Sequence, residues 1–319
     1  MATSVATAQA RSTPKHRFGA DEVACGITLL FALAIFAITL LMAIQLWRNS
    51  APTRAKFGFS FLTSSLWNPV TDQFGAAPYI YGTVLTSVLA LLIAVPLGVG
   101  AAIYLSELAV PKISNALTFL VELLAAVPSV IYGLLAIFTL VPLMRDYLGP
   151  AIQKVLGATP LFSGHLYGVG YLTAGMILAI MTLPYIISVS REALMAVPRE
   201  QREAALALGA TKWESTKDAV LPFARLGIIG SIFLALARAL GETMAVTMVI
   251  GNQPAIHASL FAPGYSIAAV IASEFAEADK LHRSALIELG LVLFVLTMVV
   301  NGSAQLMIKL TTKKGSAKA

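Results

Sequence analysis

The chain has 319 residues, of which 58% are hydrophobic and only 12% charged, against about 25% charged in a soluble domain. That balance excludes a soluble globular domain, and the single cysteine, Cys25, excludes an intrachain disulfide or a cysteine-held zinc cluster. A net charge of +6 suggests a nucleic-acid partner only until the basic residues are located; they mark membrane topology instead.

Residues 1–22 are polar and read as a cytoplasmic tail. The first apolar stretch, 23–47, follows Arg11, Lys15 and Arg17 and resembles a signal peptide at first sight. Its apolar run from Val23 to Leu46 outlasts the roughly 7–15 residues of a signal core, so it is expected to be an uncleaved anchor span. Cys25 is then a small apolar residue within it. The outer segment 48–78 contains FGFSFLTSSLWNPVTDQFG, rich in aromatics and turn formers, and is expected to pack on the outer ends of the spans.

Five more apolar stretches follow, at 79–105, 116–144, 168–190, 224–250 and 285–309, and most of the six are long enough to cross ~30 Å of hydrocarbon with some tilt. An all-α integral membrane fold with six transmembrane helices is the expectation. With the N-terminus inside, fourteen basic residues face the cytoplasm and seven face outward, with Arg238 left within a span. Both termini, including the tail 311–319, are therefore expected in the cytoplasm. The four histidines, His16, His165, His257 and His282, fall in the tail or outer loops.

The longest inner loop, 191–223, reads as more than a connector. Pro198 suits a helix start, Glu200 and Glu203 suit its first turns, and Ala204, Ala205, Leu206, Ala207 and Leu208 favour a helix. Gly209 supplies a left-handed stop, a second helix starts near Thr211, and Pro222 leads toward the fifth span. The product is a helix–glycine–helix elbow over about 198–213. On composition alone it could lie on the membrane interface; its small alanines also suit docking into another protein.

The spacing Glu203-Ala204-Ala205, three residues, Gly209, then Leu221-Pro222 resembles the EAA motif of ABC importer permeases. Ala219 stands where that motif has isoleucine. The resemblance implies a type I importer permease fold spanning 79–310, whose elbow fits a cleft in a separate ATPase. The phosphate-loop pattern GxxxxGK[ST] is missing from this chain, as are HExxH, GxSxG and any metal-spaced histidine–cysteine cluster. No catalytic residue, metal or cofactor is therefore expected.

Ionisable residues within spans are costly and usually functional. The fifth stretch places Arg238 and Glu242 four residues apart, on one face if the helix is continuous, with Arg238 near the midplane and Thr243 next in line. Gly241 beside them would let a ligand or helix approach closely. The third stretch adds Glu122 and then Pro128, Ser129, Tyr132 and Gly133, where Pro128 frees backbone groups that need partners. Two readings stay open: a salt bridge that only locks helices, or a polar gate for an anion. Arg suits phosphate through its planar fork. A carboxylate can accept the P–OH of hydrogen phosphate, whereas sulfate at neutral pH offers no donor.

FLTSSLWNP, FGAAPYIYGTVLTS, AVPLGVGAAIYLSELA, AAVPSVIYG and RALGETMAVTMVIGN together resemble PstC-type permeases of the phosphate-specific importer, over about 57–310. That resemblance implies a PstA-like permease partner, two copies of an ATP-binding subunit and a periplasmic phosphate-binding protein. It also implies alternating access, with phosphate passing Arg238 and Glu242. Rival expectations are a permease for sulfate or molybdate, or an ion-coupled transporter with Glu122, Arg238 and Glu242 as a proton relay.

Overall fold

The computed structural model describes residues 20–316, so the basic tail with Arg11, Lys15, Arg17 and His16 lies outside the described residues, as does Lys318. The chain divides into two units, residues 1–45 and 46–319. The described part of the first belongs to α1 (Ala20–Asn49), an apolar rod of 30 residues whose side chains from 22 through 42 are exposed, as suits a helix surrounded by lipid.

The second unit contains five further helices long and apolar enough to span a bilayer: α3 (Ala77–Leu108), α5 (Ser129–Leu156), α6 (Tyr171–Met195), α8 (Lys212–Gly241) and the Lys280–Met307 part of α11 (Lys280–Ser316). Shorter helices are α2 (Ala51–Phe57), α4 (Pro111–Ala126), α7 (Arg199–Ala207), α9 (Met244–Val249) and α10 (Ile267–Glu274). Among the described residues there is no strand, only isolated bridges such as Asn68 with Gln73.

Six spans are present as expected, but two boundaries differ. The apolar stretch 116–144 straddles a break, because Val127 and Pro128 are extended, with ψ of 128° and 141°. Pro128 disfavours helical backbone at the residue before it. The true span begins at Ser129, and α4 is a separate helix of 16 residues, about 24 Å long. Likewise the stretch 224–250 is interrupted at Glu242 (φ −69°, ψ 129°), and the fifth span runs from Lys212 to Gly241 with Pro222 inside it. Hydropathy could not register either break, since both flanks are apolar.

The core is organised around α6. Tyr171, Ala174, Ile177, Leu178, Met181 and Ile186 are buried against Ala90 and Ala94 of α3, Ala235 of α8, Tyr132 and Ala136 of α5, and Val246 and Val249 of α9. With lipid as apolar as leucine, small side chains that let backbones approach do much of this packing. Where α6 crosses α8, the buried hydroxyls of Ser190 and Ser231 pair at 2.7 Å. A second cluster, Ala102, Leu194, Val197, Val220, Ala224 and Ile228, joins the ends of α3, α6 and α8.

The segment after α1 folds onto span ends, as its aromatics suggest. The Trp67 ring meets Tyr79 edge-on at 4.8 Å, and its indole N–H donates to Glu274 Oε2 at 3.0 Å. His282, expected in a loop, instead lies in the first turns of α11, 3.0 Å from the same carboxylate oxygen and stacked on Phe74.

Candidate substrate path and coupling elbow

The two helix breaks lie side by side. Helix α9 packs on the first turns of α5, where Gly133 faces Ala245 and Met248. A Cβ at Gly133 would come within 3.2 Å of the Ala245 Cα and collide with the Met248 sulfur. That absence of a side chain brings the stretch after Pro128 against the stretch after Glu242.

Arg238 lies on the last turn of α8, near this junction. Its guanidinium carbon sits 4.4 Å from the centre of the Tyr185 ring on α6. Its Nε–H is buried without an acceptor in this chain. Tyr132 is within electrostatic reach of both Tyr185 and Arg238, and its hydroxyl donates to the Leu124 carbonyl at 2.8 Å across the Pro128 break. The tyrosine thereby gives a second, shorter hydrogen bond to a carbonyl that the Val127 amide also reaches, at 3.3 Å, where the helix ends.

Glu242 is not on one continuous helix face with Arg238. The helix stops at Gly241, and the Glu242 carboxylate turns back to accept a long 3.4 Å hydrogen bond from the Ala245 amide. No ion pair joins Arg238 to Glu242. The Thr243 hydroxyl donates to the Gly241 carbonyl at 3.3 Å. A Cβ at Gly241 would meet nothing within 4 Å, so within this chain the glycine admits no close neighbour. Ser129 opens α5 at the break and is half-buried, while Glu122 is exposed on α4 and not drawn into the group.

The elbow forms much as its sequence implies. Helix α7 runs Arg199–Ala207 with Pro198 as its N-cap, Gly209 adopts φ +89°, and Thr211 opens α8 with a reciprocal capping box to Glu214. α7 buries no side chain. Glu203 and Ala204 are exposed, Ala205 is half-buried, and Leu208 is 90% exposed at the tip. Leu221 is half-buried and Pro222 exposed on α8.

Two ion pairs escaped the sequence reading. Glu107, at the end of α3, makes a two-pronged pair with Arg202 of α7, at 3.1 and 2.8 Å. That hydrogen-bonded pairing holds the Arg202 guanidinium above its ordinary pKa, so it stays charged. Within the membrane span of α11, Glu288 is buried and pairs with Arg54 of α2 at 3.3 Å. Glu288, isolated in the apolar run ALIELGLVLF, is a signal that could have been read.

The family model for the binding-protein-dependent transport system inner membrane component matches residues 94–313. The chain belongs to that family, as a PstC-type permease. It is 49% identical to the phosphate transport system permease protein PstC of Mesorhizobium japonicum, over 87% of each chain. Identity to the protein of that name from Haemophilus influenzae is 45%, over 90% of this chain and 93% of the other. Among solved structures, the fold resembles a bacterial ABC transporter that imports the acidic polysaccharide alginate, at 17% identity and a TM-score of 0.58, covering 88% of this chain and 95% of that one. An inward-facing form of the MetNI methionine ABC transporter matches at 14% identity and a TM-score of 0.54, over 77% and 99% of the two chains. The fold is thus that of type I ABC importer permeases, and this PstC-type chain is a multi-pass inner-membrane protein working within an ABC transporter.

Proposed function

We propose that this chain is the channel-forming subunit of an ATP-driven importer for inorganic phosphate. Support comes from 49% identity along 284 residues to a relative named as a phosphate permease. A half-buried arginine whose buried Nε–H is unused also suits an oxyanion. Both termini face the cytoplasm in this reading. The partners are a PstA-like permease, two copies of an ATP-binding subunit and a periplasmic phosphate-binding protein. The chain itself is no enzyme; ATP is hydrolysed by the separate subunits, and the whole complex is a phosphate-transporting ATPase.

Loaded binding protein docks on the outer loops, and closure of the ATPase dimer moves the elbow. Glu203, Ala204, Ala205 and Gly209 form its contact face, with Leu221 and Pro222 carrying the motion into α8. Phosphate then passes the broken-helix junction. Arg238 offers fixed positive charge there, Glu242 accepts the P–OH of hydrogen phosphate, and Thr243, Ser129 and Tyr132 supply hydroxyls. Glu122 lies at the margin of this path.

The deciding experiment is phosphate uptake by cells lacking their own permease, with the partner subunits supplied. Uptake restored by the parent and lost in Arg238→Gln supports the reading. Failure of the parent, or sulfate uptake in its place, removes phosphate as the cargo.

A further inference from the structure

The contact face of α7 is exposed, yet a moving elbow needs a stiff link to the spans. Arg202 stands at that link. Its Nε and Nη2 donate to the two carboxylate oxygens of Glu107 at the end of α3. Its Nη1 donates to the Val197 carbonyl at 2.6 Å, and Nη2 also reaches the Leu194 carbonyl at 2.7 Å, at the end of α6. The side chains are 22% and 9% exposed. One guanidinium therefore ties α7 to two different spans through three hydrogen bonds and to the intervening loop through a fourth, in a partly shielded setting.

Those anchors are themselves fixed. Leu194 and Val197 are buried in the apolar cluster that joins the ends of α3, α6 and α8. By contrast, α7 buries none of its own residues, and its stronger contacts run to the Lys212–Val220 stretch. The planar fork resists bending where a lysine would pivot about a single ammonium.

We propose that the Glu107–Arg202 pair is the strut that carries displacement of α7 into α3 and α6, in parallel with the covalent path through α8. The proposal rests on the importer reading above. Both are positioning residues, remote from cargo and from nucleotide. Without the strut, α7 would still bind the ATPase, but its motion would be absorbed in the loop 195–198 and at Gly209.

The test uses the full importer in lipid nanodiscs and vesicles, in a Cys25→Ser background. Spin labels at Leu208→Cys and Val110→Cys report the distance between the elbow tip and the end of α3. Glu107→Gln removes the charge without touching the elbow, and Glu107→Asp keeps it. Glu107→Gln is expected to broaden the label distances and lower phosphate uptake per ATP hydrolysed by about tenfold, with the ATPase subunits still bound. Glu107→Asp should recover much of that coupling. Unchanged label distances in Glu107→Gln overturn the strut, and so does a variant that loses only yield or thermal stability. A parent that imports no phosphate would sink the cargo reading, while the label distances would still decide the strut.

Discussion

The guanidinium carbon of Arg238 lies over the Tyr185 ring, 4.4 Å from its centre, and this aromatic ring, rather than Glu242, is its partner within the chain. The arrangement gives the arginine an aromatic neighbour while leaving its donors, the buried Nε–H among them, without a carboxylate partner. A salt bridge would have occupied those donors and neutralised the site.

This gives a graded expectation at position 185. Tyr185→Phe retains the ring face and should transport phosphate at near the parent rate. Tyr185→Leu removes it, at a cost of about 1–2 kcal/mol for a desolvated cation–π contact. A roughly tenfold fall in uptake rate follows if the ring holds Arg238 in position. Radiolabelled phosphate uptake in vesicles separates the outcomes, and equal rates for the Leu and Phe variants would dismiss the ring's role.

The contact between the two broken helices makes its own prediction. Gly133→Val would force a branched side chain against the Ala245 backbone, 3.2 Å from where a Cβ would sit. Overpacking of this kind costs about 1–3 kcal/mol, and it would part α9 from α5. Lower thermal stability in detergent together with reduced uptake is expected. Gly241→Ala, with open space around it, should match the parent in stability. If the two substitutions behave alike, the close approach is not what the glycine supplies.

Six spans, the elbow and its left-handed glycine were legible because periodicity, length and punctuation are local. Gly209 takes φ +89°, as a helix stop between alanines and a capping threonine requires. Pro128 was visible too, but its effect on Val127 mattered more than hydropathy allowed, and it moved the third span from 116–144 to Ser129–Leu156. Arg238, expected near the middle of its span, instead lies in the last turn of α8, and Glu242 is not paired with it. The i, i+4 rule assumes an unbroken helix, and the break at Glu242 is marked only by Gly241, with no proline beside it. Glu107–Arg202 and Arg54–Glu288 are separated by 95 and 234 residues. No local pattern reports such pairs; only the fold brings them together.

The Arg54–Glu288 pair lends itself to a double-mutant cycle. Arg54 also donates to Ser50 and to the Trp47 carbonyl, so it is held from several sides. Glu288→Leu alone would strand a partly buried guanidinium and should cost about 3 kcal/mol. Arg54→Met with Glu288→Leu should recover most of that, because two apolar side chains at the membrane edge leave no charge unpaired. Thermal unfolding of the four proteins gives the coupling energy. Simple additivity would mean that the pair is incidental to how α2 is fastened to α11.

At the elbow, backbone strain and the contact face can be separated. A Cβ at Gly209 would meet nothing within 4 Å, so any penalty there comes from φ +89° alone. A β-branched residue in that conformation costs about 1–2 kcal/mol, while asparagine tolerates it better. Gly209→Val should therefore weaken retention of the ATPase subunits during purification, and Gly209→Asn should weaken it less. Glu203→Ala is different, because Glu203 is exposed and removing it leaves the fold untouched. Its loss should release the ATPase without lowering the unfolding temperature of the permease itself. If Glu203→Ala keeps the ATPase bound while Gly209→Val loses it, the turn carries the docking and the EAA carboxylate does not. If both keep it, the elbow is not the docking element, and the contact must be sought elsewhere on the same end of the spans.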